Sequence, residues 1–221
     1  MAKLELNNIY YRYNGANKDV LKNINATFEG GKVYAIVGPS GSGKTTLLSI
    51  MAGLDVPTKG SIKLNDTDLS EMDLDEYRRD SVSMIFQAFQ LFPLLTGIEN
   101  VCFPMLYKGI EGEVAKEKGS QILSALGIDR DKQGRYPAKL SGGEQQRVAI
   151  ARTLATGAKI VLADEPTGNL DGENSKRIIE ILQELANKQD FCVIIVTHDM
   201  DIASQSDVVW RIHDGEFTLE D

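Results

Sequence analysis

The stretch Gly38-Pro39-Ser40-Gly41-Ser42-Gly43-Lys44-Thr45 follows directly on the apolar segment Val33–Val37. Its glycines let the chain curl, so that successive backbone N–H groups can point inward at one anion. A helix beginning near Lys44 would add the positive end of its dipole at the same place. The pattern G-x-x-x-x-G-K-[ST] therefore predicts a buried strand, a phosphate-binding loop and a helix, in that order.

The side chains of this P-loop predict a nucleoside triphosphate and magnesium as ligands. Lys44 can reach the β- and γ-phosphates, and the Thr45 hydroxyl can contact Mg²⁺. A glycine-rich turn with a surface lysine is the alternative, and the flanking strand and helix argue against it. The residues expected to bind ATP here are Gly38, Pro39, Ser40, Gly41, Ser42, Gly43, Lys44, Thr45 and Thr46.

Apolar patterning along the rest of the chain indicates an α/β fold. Short continuous apolar runs at Ile160–Ala163 and Cys192–Val196 are typical of parallel strands covered on both faces. Further strands are expected near the start of the chain, at Val20–Phe28 and in a hairpin over Val208–Ile212 and Glu216–Leu219. Helical periods occur at Thr45–Ala52, Ile98–Tyr107, Val114–Leu126, Glu144–Ala155 and Ser175–Ala186. A mostly helical stretch is thus expected to interrupt a βα core flanked by strand-rich segments.

Composition limits the function without identifying it. The chain has 221 residues, 42% hydrophobic and 25% charged, which suits a globular domain with a sizeable core. Its formal net charge of −8 disfavours nucleic acid as the main partner, because an acidic protein repels phosphate backbones. No apolar run approaches the ~20 residues needed to cross a bilayer, and we expect no signal peptide. If the protein acts at a membrane, another chain is expected to supply the membrane-spanning part.

Two carboxylates and a histidine follow strands of the predicted core. Asp164 and Glu165 come directly after Ile160–Ala163, and a strand in the same sheet would deliver both beside the P-loop. Asp164 is placed to hold Mg²⁺ through water, and Glu165 to polarise an attacking water. His198 ends another strand, where it can bond the γ-phosphate. The alternative for the two carboxylates is an acidic strand end without a function, and the alternative for His198 is an ordinary turn residue. We predict Lys44, Glu165 and His198 as catalytic residues.

A second phosphate-facing helix start is predicted at Leu140-Ser141-Gly142-Gly143-Glu144-Gln145-Gln146-Arg147. Ser141 is typical of an N-cap, and the two glycines would leave backbone N–H groups bare. One chain would then hold two phosphate-binding helix ends for one γ-phosphate. A head-to-tail dimer resolves this, with Ser141, Gly142, Gly143 and Glu144 of one copy closing on ATP held by the other. An ordinary serine-capped helix is the alternative.

Leu140–Arg147 resembles the signature motif of ABC ATPases. Together with Gly38–Thr45, Ile160–Glu165 and His198, in that order, it makes the chain resemble an ABC ATPase. The resemblance covers essentially the whole length. It implies one ATPase domain over 1–221, with ATP hydrolysis to ADP and phosphate, Mg²⁺ as cofactor and a homodimer, or a pair with a like subunit, on ATP binding. The implied fold is a P-loop NTPase (RecA-like) core with an N-terminal antiparallel β subdomain, over 1–87 and 158–221, and a helical signature subdomain over 88–157.

Further positions resemble the family residue by residue. Gln87 resembles the glutamine that senses Mg²⁺ and water, which makes it an expected ATP and metal contact. Asn169-Leu170-Asp171 resembles the D-loop, which implies that Asp171 communicates across the dimer. Tyr13 resembles the aromatic that stacks on adenine, although Tyr10 and Tyr11 compete for that role, and aromatic packing on a strand face is the alternative.

A narrower similarity concerns the segments Phe86–Thr96, Glu99–Val101 and Pro166–Asp171. They are similar to the lipoprotein-release, macrolide-export and peptide-resistance ATPases (LolD/MacB type) and to FtsE-type division ATPases. These work at the cytoplasmic face of the membrane with a permease, which implies export, extraction or force transmission. The apolar run Phe89–Leu95, if exposed, would form a groove for that permease; ordinary core packing is the alternative.

Two other functions remain open at this point. A soluble ABC ATPase acting on nucleic acid or ribosomes would share the motifs, but the chain lacks zinc-binding cysteines, long coiled coils and a second cassette, and it is acidic. A P-loop kinase would share Gly38–Thr45 but has no need of Leu140–Arg147.

Overall fold

Two β-sheets and the helices around them make up the computed structural model, which describes residues 1–220. The strands are β1 (Lys3–Tyr11), β2 (Leu21–Glu29), β3 (Lys32–Val37), β4 (Lys59–Leu64), β5 (Thr67–Asp68), β6 (Val82–Phe86), β7 (Ile160–Asp164), β8 (Cys192–Thr197), β9 (Val208–His213) and β10 (Glu216–Glu220). A four-stranded antiparallel sheet has the order β2-β1-β4-β5, and a six-stranded sheet has the order β10-β9-β3-β8-β7-β6.

Helices fill most of the remaining chain. They are α1 (Lys44–Met51), α2 (Leu74–Asp80), α3 (Gly97–Tyr107), α4 (Gly112–Ala125), α5 (Arg130–Gln133), α6 (Gly142–Ala155), α7 (Gly172–Gln189) and α8 (Met200–Ala203), with short 3₁₀ turns at Leu69–Glu71 and Pro137–Lys139. Within residues 1–220, none of these helices combines the length and apolarity that crossing a bilayer requires.

The described chain folds into two compact units. The first consists of residues 1–84, 159–165 and 182–220, and it contains the antiparallel sheet and most of the six-stranded sheet. The second consists of residues 85–158 and 166–181, and it is mostly helical. The predicted α/β class, with an antiparallel β subdomain and a helical part, is confirmed. The predicted boundary at 88–157 stays a prediction; the helical unit also takes in 166–181.

The parallel part of the large sheet brings strand ends together. β3 and β8 pair in parallel with Val37 opposite Thr197, and β7 and β8 pair in parallel with Asp164 opposite Val196. β8 is buried along its whole length, as expected for an apolar run covered on both faces. Because these strands run the same way, the segments that follow β3, β7 and β8 leave the sheet at one edge.

The C-terminal hairpin differs from its expected place outside the core. β9 pairs in parallel with β3, from Tyr34 opposite Val208 to Val37 opposite Arg211. β10 then pairs antiparallel with β9 through a turn in which Asp214 and Gly215 both have positive φ, as a tight hairpin requires. The hairpin therefore extends the core sheet, because β9 supplies the neighbour that β3 needs on its second edge.

Candidate functional site

The P-loop joins β3 to α1 in the first unit. Gly43 is the N-cap of α1 with φ of 106°, a region that favours glycine, and a β-carbon there would lie 2.9 Å from Leu21 Cδ2. Lys44 Nζ donates to the carbonyl oxygens of Gly38 at 2.8 Å and Pro39 at 3.0 Å. The lysine charge therefore lies over the loop, and the glycine N-cap offers no side-chain acceptor to the first turn of α1.

Thr45 and Asp164 meet at the edge of the large sheet. Thr45 Oγ1 donates to Asp164 Oδ2 at 3.4 Å. Partial burial raises the pKa of the Asp164 carboxyl, and the hydrogen bond from Thr45 opposes that rise. A half-buried carboxylate beside a hydroxyl is a set of hard oxygen donors, the type that Mg²⁺ prefers.

Glu165 and His198 form a second pair at the same edge. Glu165 has a left-handed backbone with φ of 48°, which costs roughly 1–2 kcal/mol for a residue other than glycine. Its N–H donates to Val196 O at 2.9 Å, which holds the turn on β8. Its Oε1 lies 2.8 Å from His198 Nδ1; the histidine side chain is 73% exposed and the glutamate 18%. This bond uses Nδ1 and leaves the histidine Nε2 for a ligand.

Tyr13 presents an aromatic ring beside the first turn of α1. Its hydroxyl lies 2.8 Å from Thr46 Oγ1, and its side chain is 48% exposed. Tyr11 packs edge-on against it at 5.0 Å between centroids, but Tyr11 is buried and its hydroxyl donates to Asp55. Tyr10 lies instead under the ammonium of Lys59. Exposure therefore favours Tyr13 over Tyr11 as the stacking surface for a base.

The second unit contains the signature segment at the start of α6. Ser141 is the N-cap, as predicted, and its Oγ accepts from Glu144 N at 3.3 Å while Glu144 Oε2 accepts from Ser141 N at 2.8 Å. This capping box means that the chain itself bonds part of the helix end that was expected to be bare. Lys132 Nζ lies 2.9 Å from Glu144 Oε1 and, with the serine N–H, lowers the pKa of that carboxyl to about 2.

Asp171 and the signature are linked through Asn174, which no predicted motif contains. Asn174 Nδ2 donates to both carboxylate oxygens of Asp171, at 3.0 and 2.9 Å, and its backbone N–H donates to Oδ1 at 2.9 Å. That backbone bond is the main cause of the lowered pKa of Asp171. A β-carbon on Gly143 would overlap the Asn174 amide. The only sequence signal for Asn174 is its place three residues after a helix-capping aspartate.

Gln87 contacts the segment that follows the carboxylate pair. Asn169 Nδ2 donates to Gln87 O at 2.8 Å, and a β-carbon on Gly168 would lie 2.7 Å from Gln87 Nε2. Gln146 Nε2, fully buried, donates to Pro166 O at 2.7 Å. Within the second unit, the predicted sensor glutamine therefore contacts the D-loop, and the signature helix contacts the segment that leads into the D-loop.

The run Phe89–Leu95 is largely exposed rather than core-packed. Phe92 is 42% and Leu94 86% exposed, and Phe92 packs on the equally exposed Phe103 at 4.8 Å between centroids. The buried Asn100 holds this loop, because its Nδ2 donates to the carbonyls of Phe92, Leu95 and Thr96. These side chains are therefore not packed in the core. They form a surface whose backbone is held in place by Asn100.

Comparisons with known proteins agree with these observations. Residues 21–168 match the family model described as ABC transporter. The chain is 39% identical to the uncharacterized ABC transporter ATP-binding protein YclH of Bacillus subtilis, over 100% of this chain and 98% of that protein. It is 42% identical to the macrolide export ATP-binding/permease protein MacB of a Shewanella species, over 97% of this chain but only 34% of MacB.

A solved structure shows the same fold. The dimeric post-hydrolysis state of the ATP-binding cassette MJ0796, bound to ADP and Pi, is 36% identical, with 98% of this chain and 97% of that chain covered and a TM-score of 0.89. MJ0796 is an ABC transporter ATP-binding protein of Methanocaldococcus jannaschii. These findings confirm the predicted family, fold and ATPase class.

Proposed function

The chain belongs to the ABC transporter family as an ATP-binding subunit with ATPase chemistry, and we propose that two copies close around two ATP molecules and thereby move a membrane permease. The observation that carries the ATPase chemistry in this proposal is the Glu165–His198 pair, 2.8 Å apart, at the sheet edge where Thr45 also meets Asp164. A base, a γ-phosphate partner and a magnesium donor set are thereby gathered beside one phosphate loop.

ATP binds along the first unit in this proposal. Its phosphates lie in Gly38–Thr46, where the start of α1 and Lys44 supply positive charge, and its adenine stacks on Tyr13. The loop also fits an anion because Ser42 Oγ is buried without a hydrogen-bond partner in the described part of the chain. A bound phosphate would give that hydroxyl an acceptor and so remove the cost of leaving it unpaired.

Magnesium fits the donor set of Thr45 and Asp164. These two side chains would hold the ion, while Gln87 stays the predicted additional ligand. When bound, magnesium neutralises phosphate charge. The half-buried Asp164, whose pKa is raised by burial, gains a compensating positive charge at the same place.

Hydrolysis is assigned to the first unit's own side chains. Glu165 accepts the proton of the attacking water. His198, with a proton on each ring nitrogen, donates from Nδ1 to Glu165 and from Nε2 to the γ-phosphate. The left-handed turn at Glu165 takes its side chain out of the strand alternation that orients Asp164. The two neighbouring carboxylates can therefore serve different tasks.

A second copy completes each site. Ser141, Gly142 and Gly143 of that copy face the γ-phosphate, and Glu144 orients Ser141. Asp171, held by Asn174, lies at the contact between the copies in this proposal. The dimeric structures of MJ0796 support this arrangement, because that cassette has the same fold. Closure depends on ATP, since the phosphate charge attracts a helix start from each copy.

The membrane partner is proposed to dock near Phe89–Leu95. Exposed apolar side chains there, held by Asn100, suit a helix of a permease. The name of MacB joins an ATP-binding part to a permease, which supports the same division of labour between two chains here. The protein would then act as a peripheral subunit on the cytoplasmic face, in export, extraction or force transmission. A role on nucleic acid or ribosomes is not favoured, because the matches are to transporter proteins and the net charge is −8.

Replacing Glu165 by Gln tests this proposal. The amide keeps the shape of the side chain but cannot take a proton, so ATP turnover should fall by roughly 10²–10⁴-fold. ATP binding should persist, and dimers should accumulate because the closed state is no longer released. Glu180→Gln, at an exposed position on α7, is the matched control and should behave like the parent. Turnover at the parent rate in Glu165→Gln would show that the catalytic assignment is wrong.

A further inference from the structure

We infer that Lys132 is a positioning residue for the composite site, because it holds Glu144 at the start of α6 and cancels its charge where a second copy's γ-phosphate approaches. The inference rests on the proposed function, in which Ser141 faces that phosphate. Lys132 lies in α5 and Glu144 in the first turn of α6, and both belong to the second unit. Neither motif nor family resemblance assigned a role to Lys132.

One carboxylate connects the lysine to the signature serine. Glu144 Oε1 lies 2.9 Å from Lys132 Nζ, and Glu144 Oε2 accepts from Ser141 N at 2.8 Å. The backbone N–H of Glu144 in turn donates to Ser141 Oγ at 3.3 Å. Because the serine oxygen is the acceptor in that bond, its own proton remains available for donation to an anion. Lys132 thus acts on the serine through the orientation of Glu144.

The charge of Glu144 gives Lys132 a second task. The carboxylate is only 14% exposed and stays ionised at neutral pH. A negative charge at a helix start stabilises that helix, but it also repels a phosphate brought to the same end. The ammonium of Lys132 cancels this repulsion. Two other carboxylates act on it. Asp129 lies 4.0 Å away with a 74% exposed side chain, and Asp131 pairs with Arg135, so both compete weakly.

A purely structural ion pair makes a different prediction from this charge balance. If the pair only stabilises the fold, removing either partner weakens the dimer in the same direction. Under charge balance, Lys132→Met leaves an uncompensated carboxylate and weakens the ATP-bound dimer. Glu144→Gln leaves an ammonium facing the phosphate and keeps an amide oxygen that can accept from Ser141, so the dimer is as tight as the parent or tighter.

The test measures the dissociation constant of the Mg-ATP dimer by sedimentation in the Glu165→Gln background. Lys132→Met should raise it by about tenfold, the usual effect of losing one charge-assisted contact. Glu144→Gln should not raise it, and the double variant should return towards the parent value. Lys132→Arg keeps the charge and should stay close to the parent. ATP affinity at protein concentrations too low for dimers should be equal in all variants.

The measured dissociation constants distinguish a wrong role for Lys132 from a wrong proposed function. The role of Lys132 would be overturned if Lys132→Met and Glu144→Gln weaken the dimer alike, or if the double variant forms a dimer no tighter than that of Lys132→Met. Neither result would contradict the proposed function. If Lys132→Met does not fold, Glu144→Gln still decides, because a weaker dimer in that variant contradicts charge balance. A Glu165→Gln parent that forms no dimer with ATP would overturn the proposed function itself.

Discussion

The starts of α1 and α6 are both assigned to phosphate, yet the chain builds them differently. α1 begins at a left-handed glycine, Gly43, with a lysine over the loop. α6 begins at Ser141 in a capping box closed by Glu144 and Lys132. The first helix start offers its N–H groups to a ligand, whereas the second uses part of its bonding capacity within its own chain. ATP should therefore bind a single copy through α1, and α6 should add affinity only as part of a second copy.

The largest effect that this comparison predicts is at Lys44. Lys44→Ala removes charge-assisted bonds to phosphate, and the affinity of single copies for ATP should fall on the order of 100-fold. Calorimetry at protein concentrations too low for dimers measures it. Lys118→Ala, an exposed lysine on α4, is the control. Parent affinity in Lys44→Ala would remove the distinction between the two helix starts.

An intermediate effect is expected at the signature glycines. A β-carbon on Gly143 would overlap Asn174, whereas one on Gly142 would meet Leu170 Cδ2 at an ordinary 3.5 Å. Gly143→Ala should lower the free energy of unfolding by about 1–3 kcal/mol, and Gly142→Ala should leave it within about 0.5 kcal/mol of the parent. Urea denaturation of the two variants compares them directly. Equal free energies of unfolding for Gly143→Ala and Gly142→Ala would contradict the close approach of Asn174 to Gly143.

The smallest effect concerns the pH dependence of the α6 cap. The pKa of Glu144 lies at about 2, below its ordinary value, since Lys132 and the Ser141 N–H bind the charged form. A carboxyl with a lowered pKa stabilises the fold above its unfolded pKa, and this contribution is lost as pH falls through the folded pKa. The parent should thus exceed Glu144→Gln in free energy of unfolding by about 1 kcal/mol at neutral pH.

That stability difference should shrink as the pH is lowered from about 4.3, the unfolded value, towards 2. Urea denaturation of both proteins across this range measures the difference. The other carboxylates contribute equally to the free energy of unfolding of both proteins, so their contribution cancels. A difference that does not change with pH would show that the Glu144 charge does not contribute to the cap.

Sequence patterns predicted much of both helix starts. The P-loop pattern predicted a helix from near Lys44, and the helical period predicted it over Thr45–Ala52; α1 is found at Lys44–Met51. Ser141 was predicted as the cap of α6. These features depend on neighbours in sequence, where glycine, serine and lysine have strong local preferences. The reciprocal bond of Glu144 was not predicted, although S-x-x-E is the capping-box pattern and could have indicated it.

Other elements left no clear pattern. β4 has only Ile62 and Leu64 buried, and α2 buries only Tyr77, so neither shows a full period of apolar residues. The contacts of the site were harder still: His198 meets Glu165 and Tyr13 meets Thr46, each across 33 residues. Only the folded sheet brings such pairs together, and local propensity contains no information about them.

The central claim is that α1 of one copy and α6 of another form one site, and mixing two inactive variants tests it most directly. Lys44→Ala loses the phosphate loop but keeps the signature, and Ser141→Arg blocks the signature but keeps the loop. Each alone should hydrolyse little ATP. Mixed dimers contain one site with both halves intact, so the mixture should hydrolyse ATP well above the sum of the two separate rates. A mixture that only equals that sum would contradict a site shared between copies.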